Sequence, residues 1–313
     1  MGYNNINHTH KDQKDDTAYV TGRGERSTLF HNILLPISSE YYAKNVLKRG
    51  AFLAKIFHCP IHLVYIIEEK TLRQTDKLTD AYRTKYDIDE TKKDIIRKKI
   101  TTADHIIFSD AHQFFKSEKV SFTEKIVRGE FSSIVEDEVE TDDYDLVLMG
   151  FEKECVLQYR LLDSLHIPIW IEMKSESSLI LGICTNLAPN QQVPPTSIQL
   201  AQAFGWDLHM IYIIDTRDMV AIDEKGNRSA RKSKRELDGI ATAFSEMMRR
   251  RGIPVDIIEG NFEKEVTKLA EQFHAGLVVI GREQRRKMSM VLSSKNFKLK
   301  IAEKCGHSLL FMN

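Results

Sequence analysis

The chain has 313 residues, with 45 Lys and Arg against 45 Asp and Glu, so its formal net charge is zero. That balance excludes nucleic-acid or membrane-surface binding through a general excess of positive charge, and the length suits two cores better than one. The four cysteines, Cys59, Cys155, Cys184 and Cys305, are scattered without a C-x-x-C pair, which fits a reduced, cytoplasmic setting. No apolar run reaches the ~20 residues of a membrane span, and the N-terminus lacks the apolar core of a signal peptide.

Residues 1–28 are polar and aperiodic, and are expected to form a disordered tail in which His8 and His10 are solvated. A first unit is expected over 29–173. It opens with Ile33-Leu34-Leu35-Pro36-Ile37, a run suited to a strand buried on both faces. A helix follows, with Ala43, Val46, Leu47, Gly50, Ala51, Ala54 and Phe57 at three- and four-residue spacing. His62–Ile67 reads as the second strand. The charged stretch 68–90 reads as a loop or a poorly packed helical segment, Ile95–Phe114 as a long amphipathic helix and Val120–Val127 as a strand. Ile167–Ile171 closes the unit, and Pro168 suits an edge or domain-contact strand there.

After a polar linker at 174–177, a second unit over 178–313 repeats this order. Leu179–Ile183, His209–Asp215, Val255–Ile258 and Ser308–Met312 are its strands. Ile198, Ala201 and Phe204 mark one helix, and Leu237, Ile240, Ala241, Phe244 and Met248 another. The repeat is clearest where VRGEFSSIVEDEVETDDYDLVLMG (127–150) aligns without a gap on IEGNFEKEVTKLAEQFHAGLVVIG (258–281), an offset of 258 − 127 = 131. Gly129 falls on Gly260, Phe131 on Phe262 and Gly150 on Gly281. Gly150 and Gly281 are expected to mark sharp turns out of the sheet. Strands alternating with helices imply an α/β fold with parallel strands and right-handed crossovers.

The NILLPIS strand, the strand endings YIIE and YIID, and the repeated G-(E/N)-F-helix-LV(L/V)(M/I)G element resemble the universal stress protein family, twice over from residue 30 onward. The resemblance implies two Rossmann-like five-stranded parallel-sheet domains in tandem, packed as an intrachain pseudo-dimer through Ile167–Ile171 and Ser308–Met312. It leaves open whether two chains pair further as a homodimer.

Nucleotide-binding members of that family carry an Asp at the end of the first strand and a G-x2-G-x9-G-(S/T) loop after the fourth. Glycines there let backbone N–H groups approach phosphate. Here the Asp position holds Ser38 in the first unit and Cys184 in the second. After Gly150 the loop is short, lacks further glycine and carries Glu152 and Glu154, so this unit is expected to have lost nucleotide binding. After Gly281 the loop is long and basic, with Arg282, Arg285, Arg286, Lys287, Ser293, Ser294 and Lys295. Guanidinium groups and hydroxyls can hold a phosphate in place of backbone amides, and a solvated basic loop is the plainer reading. Cys184, at a strand end, reads as a buried small side chain before a reactive thiol. His58, Cys59 and His62 lack a second pair to complete a metal site and read as a helix end beside a buried thiol. No motif supplies a base, a carboxylate pair or a nucleophile. The expected function is therefore a non-catalytic cytoplasmic regulator acting through protein contacts, with no cofactor. A sensor of ATP, AMP or another phosphate compound in the second unit is the alternative, and slow ATPase activity stays open.

Overall fold

The computed structural model describes residues 29–38, 43–68, 106–150, 159–173, 176–283 and 297–313. The tail 1–28, the charged stretch beyond Glu68, the first part of the helix expected at 95–114 and the loop with Glu152 and Glu154 lie outside them.

Apolar runs long enough to be buried on both faces form the middle of one sheet. They are β1 (Ile33–Ser38), β2 (Ile61–Glu68), β4 (Leu146–Gly150) and β5 (Ile169–Glu172) in the first half, and β6 (Leu179–Thr185), β7 (Asp207–Asp215), β9 (Leu277–Gly281) and β10 (Leu309–Met312) in the second. The more polar β3 (Phe122–Gly129) and β8 (Val255–Gly260) are its outermost strands. The order is β3-β2-β1-β4-β5-β10-β9-β6-β7-β8. Each half is parallel within itself, and the halves join by antiparallel pairing of Leu309, Leu310 and Phe311 with Ile171, Trp170 and Ile169. The expected pseudo-dimer strands are thus the ones that pair, and Pro168 stands at the entrance to that seam. Its carbonyl still accepts from Val147 N–H at 3.0 Å.

Helices cover both faces. On one lie α1 (Lys44–Phe57), α2 (106–118), α5 (Val193–Phe204) and α6 (Lys234–Arg250). On the other lie α3 (Phe131–Thr141), α4 (Tyr159–Ser164), α7 (Phe262–Gln272) and α8 (Phe297–Lys304). The predicted apolar positions of α1 are the buried ones, and α1 ends at His58 in the left-handed conformation, φ 53°. Ser233 and Glu236 close a capping box at the start of α6.

Gly150 and Gly281 do not have positive φ, so the expected sharp turn is not their reason. Crowding is. A Cβ at Gly150 would lie 2.6 Å from Ala43 Cβ, and one at Gly281 would overlap the Pro189 carbonyl. Each glycine lets the segment after its half's first strand press onto the neighbouring strand.

The seam is also held by side chains. Glu172 Oε2 accepts from Arg49 Nε (3.0 Å), Trp170 Nε1 (2.8 Å) and Ser308 Oγ (3.1 Å). The Arg49 guanidinium lies over the rings of Phe52, Trp170 and Trp206 at 5.3–5.4 Å. Phe52 belongs to the first half and Trp206 to the second, so one cation stacks on rings from both. Burial pushes the Glu172 carboxyl above its ordinary range, and Arg49 pulls it partly back.

At the far side of the first half, His62 Nδ1 meets Thr123 Oγ1 at 3.0 Å while its Nε2 is buried without a partner among the described residues. Burial lowers the His62 pKa below the usual 6.5. A depressed folded pKa gives stability that is present above the unfolded value and lost as pH falls through the folded one. The melting temperature should therefore drop on acidification across the lower part of the range from about pH 8 to 5. His62→Gln should flatten that drop, as a pH series of thermal melts will show.

Candidate functional site

In a doubly wound sheet the ligand crevice lies at the carboxyl ends of the strands. In the second half that crevice is bounded by the ends of β6, β7 and β9. Cys184 is fully buried beneath it, and burial drives its thiol pKa far up, which leaves an unreactive thiol. The next residues form a loop that satisfies itself. Asn190 Oδ1 accepts from Thr185 N–H (2.9 Å), and its Nδ2 donates to the Thr185 carbonyl (2.8 Å). Asn186 accepts from Asp215 N–H (2.7 Å) and donates to the Val220 carbonyl (2.7 Å).

The segment 216–232, which sequence reasoning left unassigned, folds over this loop. Ile222 N–H donates to the Asn186 carbonyl (2.9 Å), and a short bridge pairs Ile222 with Arg228. Val220 and Ile222 are buried there, in the company of Leu187 and Ala188. Val220, Ala221 and Ile222 were the available signal, an apolar run inside a polar stretch.

Asp215, at the end of β7, points into the crevice but is committed to the backbone. Its carboxylate accepts from Arg217 N–H (2.8 Å), Asp218 N–H (2.8 Å) and Phe262 N–H (2.7 Å). The last of these caps the start of α7, whose first turn also carries Glu263 and Glu265, so its positive end is already matched by acids. Asp218 pairs with Arg228, and Glu263 with Lys300 at 3.0 Å. The space left between Asp215, Asp218, Arg228, Phe262, Glu263 and Glu283 is about 40 Å³. That is room for about one or two waters.

Gly281 turns its Cα toward the Pro189 carbonyl rather than toward an open cradle. Arg282, expected to face an anion, is fully buried and faces the first half. Its Nη1 donates to the Leu162 carbonyl (3.2 Å), and its Nη2 donates to those of Leu165 (2.8 Å) and Ile167 (2.5 Å). Its Nε donates to Asn313 Oδ1 (2.7 Å). The carbonyls lie at and just beyond the end of α4, where a cation is favoured. Lys298 joins it, donating to Asp163 Oδ1 (2.6 Å) and to the Glu283 carbonyl (2.6 Å). Burial lowers the Arg282 pKa to about 9 while Asp163 pulls it upward, so the guanidinium is charged at neutral pH. Arg285, Arg286, Lys287, Ser293, Ser294 and Lys295 lie outside the described residues.

In the first half, Ser38 holds the position of the expected Asp. It is buried and donates to Glu68 Oε1 at 3.0 Å. His58 ends α1, and burial pushes the Cys59 thiol up to about 11. His58, Cys59 and His62 do not come together as a metal site, and among the described residues no group of three potential metal ligands forms.

The sequence matches the model of the universal stress protein family over residues 29–165. No curated protein matches it. Among solved structures it is similar to a universal stress protein from Archaeoglobus fulgidus, at 13% identity and TM-score 0.60, covering 92% of this chain and 99% of that one. It is also similar to a putative universal stress protein from Pseudomonas aeruginosa, at 14% identity and TM-score 0.60, covering 90% and 93%. A functionally unknown protein of that species matches at 14% identity and TM-score 0.58, covering 90% and 92%. At such identities the likeness concerns the fold. No helix among the described residues is long and apolar enough to cross a membrane.

Proposed function

We propose, from the match of residues 29–165 to the universal stress protein family, a non-catalytic regulator that works through protein contacts without a nucleotide. The observation that carries this reading is the crevice of the second half. The chain's own 216–232 segment folds over the loop after β6, the Pro189 carbonyl lies against Gly281, and the Asp215 carboxylate is committed to backbone N–H groups, which supports this reading. The first basic residue of the phosphate-side loop, Arg282, is spent on the other half. A nucleotide would have to displace hydrogen bonds that hold the fold.

The test is to record native mass spectra of the freshly purified full chain and to follow its melting with added ATP, AMP or inorganic phosphate. No retained nucleotide and an unmoved melting temperature are expected. A ligand present at 100 times its dissociation constant stabilises by about 2.7 kcal/mol, which is a shift of several degrees for halves of this size. Such a shift with ATP or AMP, abolished by Arg285→Glu/Arg286→Glu, would overturn the proposal in favour of a sensor built on the basic loop. Phosphate release above a blank would overturn it in favour of a slow ATPase.

A further inference from the structure

Among the described residues, the two outermost strands, β3 and β8, each leave one row of backbone groups unpaired within the sheet, and such a row is a template for another strand. Ile126 on β3 and Ile257 on β8 are equivalent in the repeat (257 − 126 = 131) and are exposed at 53% and 42%. What decides the use of either strand is its hydrogen-bond phase.

On β3, Ile61 N–H donates to the Ser121 carbonyl at 3.0 Å. In a parallel pair this turns the backbone groups of Thr123, Lys125 and Val127 toward β2 and those of Glu124, Ile126 and Arg128 outward. The side chains of Glu124, Ile126 and Arg128 share one face. It is the face of α2, since Glu124 Oε2 meets His112 Nδ1 at 2.8 Å. Arg128 is exposed and makes no ion pair with another described residue.

We propose that two copies of this chain join β3 to β3 in an antiparallel, two-fold pair centred on Ile126. With Ile126 opposite the partner's Ile126, Glu124 falls opposite the partner's Arg128, and Arg128 opposite the partner's Glu124. All three pairs occupy hydrogen-bonded positions, because all three residues turn their N–H and C=O outward. Exposed apolar surface meets its like at the axis, and each charge meets its opposite directly across the ladder, where such pairs stabilise. The contact is isologous and closes at two copies.

The other edge does not offer this. On β8, Thr216 N–H donates to the Gly260 carbonyl (3.2 Å), which turns Val255, Ile257 and Glu259 outward. Pairing β8 with itself about Ile257 sets Glu259 against Val255. Pairing β3 with β8 through the two isoleucines sets Glu124 against Glu259, like against like. Among these pairings, β3 with itself is the one that satisfies phase, apolar match and charge together.

Sedimentation velocity on the full chain tests this, with thermal melts of each variant confirming that it is folded. The wild type should dimerise. Glu124→Arg alone or Arg128→Glu alone should raise the dissociation constant about tenfold to a hundredfold, by turning two attractive pairs into repulsive ones. The double reversal Glu124→Arg/Arg128→Glu should restore the dimer, and the two singly reversed chains, mixed, should pair with each other. Ile257→Lys on the opposite edge should change nothing. A wild type that stays monomeric at every concentration overturns the proposal. So does a dimer indifferent to both charge reversals, or one lost on Ile257→Lys.

Discussion

Arg282→Met should lower the unfolding free energy by about 3 kcal/mol, because it removes one charged donor that serves several buried acceptors at once. The guanidinium serves the carbonyls of Leu162, Leu165 and Ile167 and the Asn313 side chain together. Methionine fills similar volume without a donor, so the change isolates the polar contribution from the packing one. Lysine keeps the charge but lacks the planar fork, and Arg282→Lys should cost roughly half as much. Urea unfolding measures both, read as a shift in midpoint at constant slope. A loss under about 1 kcal/mol for the methionine variant would mean that water replaces the guanidinium and that the contact is not sealed. Lys298 stays paired with Asp163 in either case, so the loss belongs to Arg282 itself.

Trp170→Ala should cost about 3–5 kcal/mol, the range for removing a large aromatic ring from a packed core. Trp170 is fully buried at the antiparallel seam, opposite Leu310, with the Phe204 ring 6.4 Å away and Arg49 above it. The variant also takes a donor from Glu172, which is left buried with Arg49 and Ser308. Trp170→Phe keeps a ring and loses the N–H, and should cost about 1–2 kcal/mol. The two substitutions differ in kind as well as size. If the seam couples the halves, Trp170→Ala should split a single chemical-unfolding transition into two, whereas Trp170→Phe should only move it. A single unsplit transition in Trp170→Ala would show that coupling runs through other contacts, Arg282 first among them.

The inner β-strands were legible because a strand buried on both faces has to be written as a continuous apolar run, and β1, β4, β6 and β9 are. The α1 helix was legible for the same reason, its buried residues recurring at helical spacing. The duplication showed because both halves need the same glycine where a loop or helix crowds a strand. The reason for that glycine was not legible. Sequence suggested a turn, while the cause is the Pro189 carbonyl or the Ala43 side chain, each remote along the chain. Arg282 shows the same limit for the site. In sequence it heads a basic loop and looks like a phosphate ligand. In the fold, its partners lie about 120 positions earlier, and nothing local encodes that destination. The 216–232 segment escaped notice because it has neither helical nor strand period, although Val220 and Ile222 are buried by it.

The strand order has a consequence for how the molecule is made. β10 is the tenth strand in sequence but the sixth across the sheet, flanked by β5 and β9. During vectorial synthesis the first half can assemble while β5, with Ile169, Trp170 and Ile171, waits as a bare sheet edge. It stays bare until the whole second half has left the ribosome, since Leu309 pairs with Ile171 across 309 − 171 = 138 residues. For that interval an apolar strand edge is open to wrong partners.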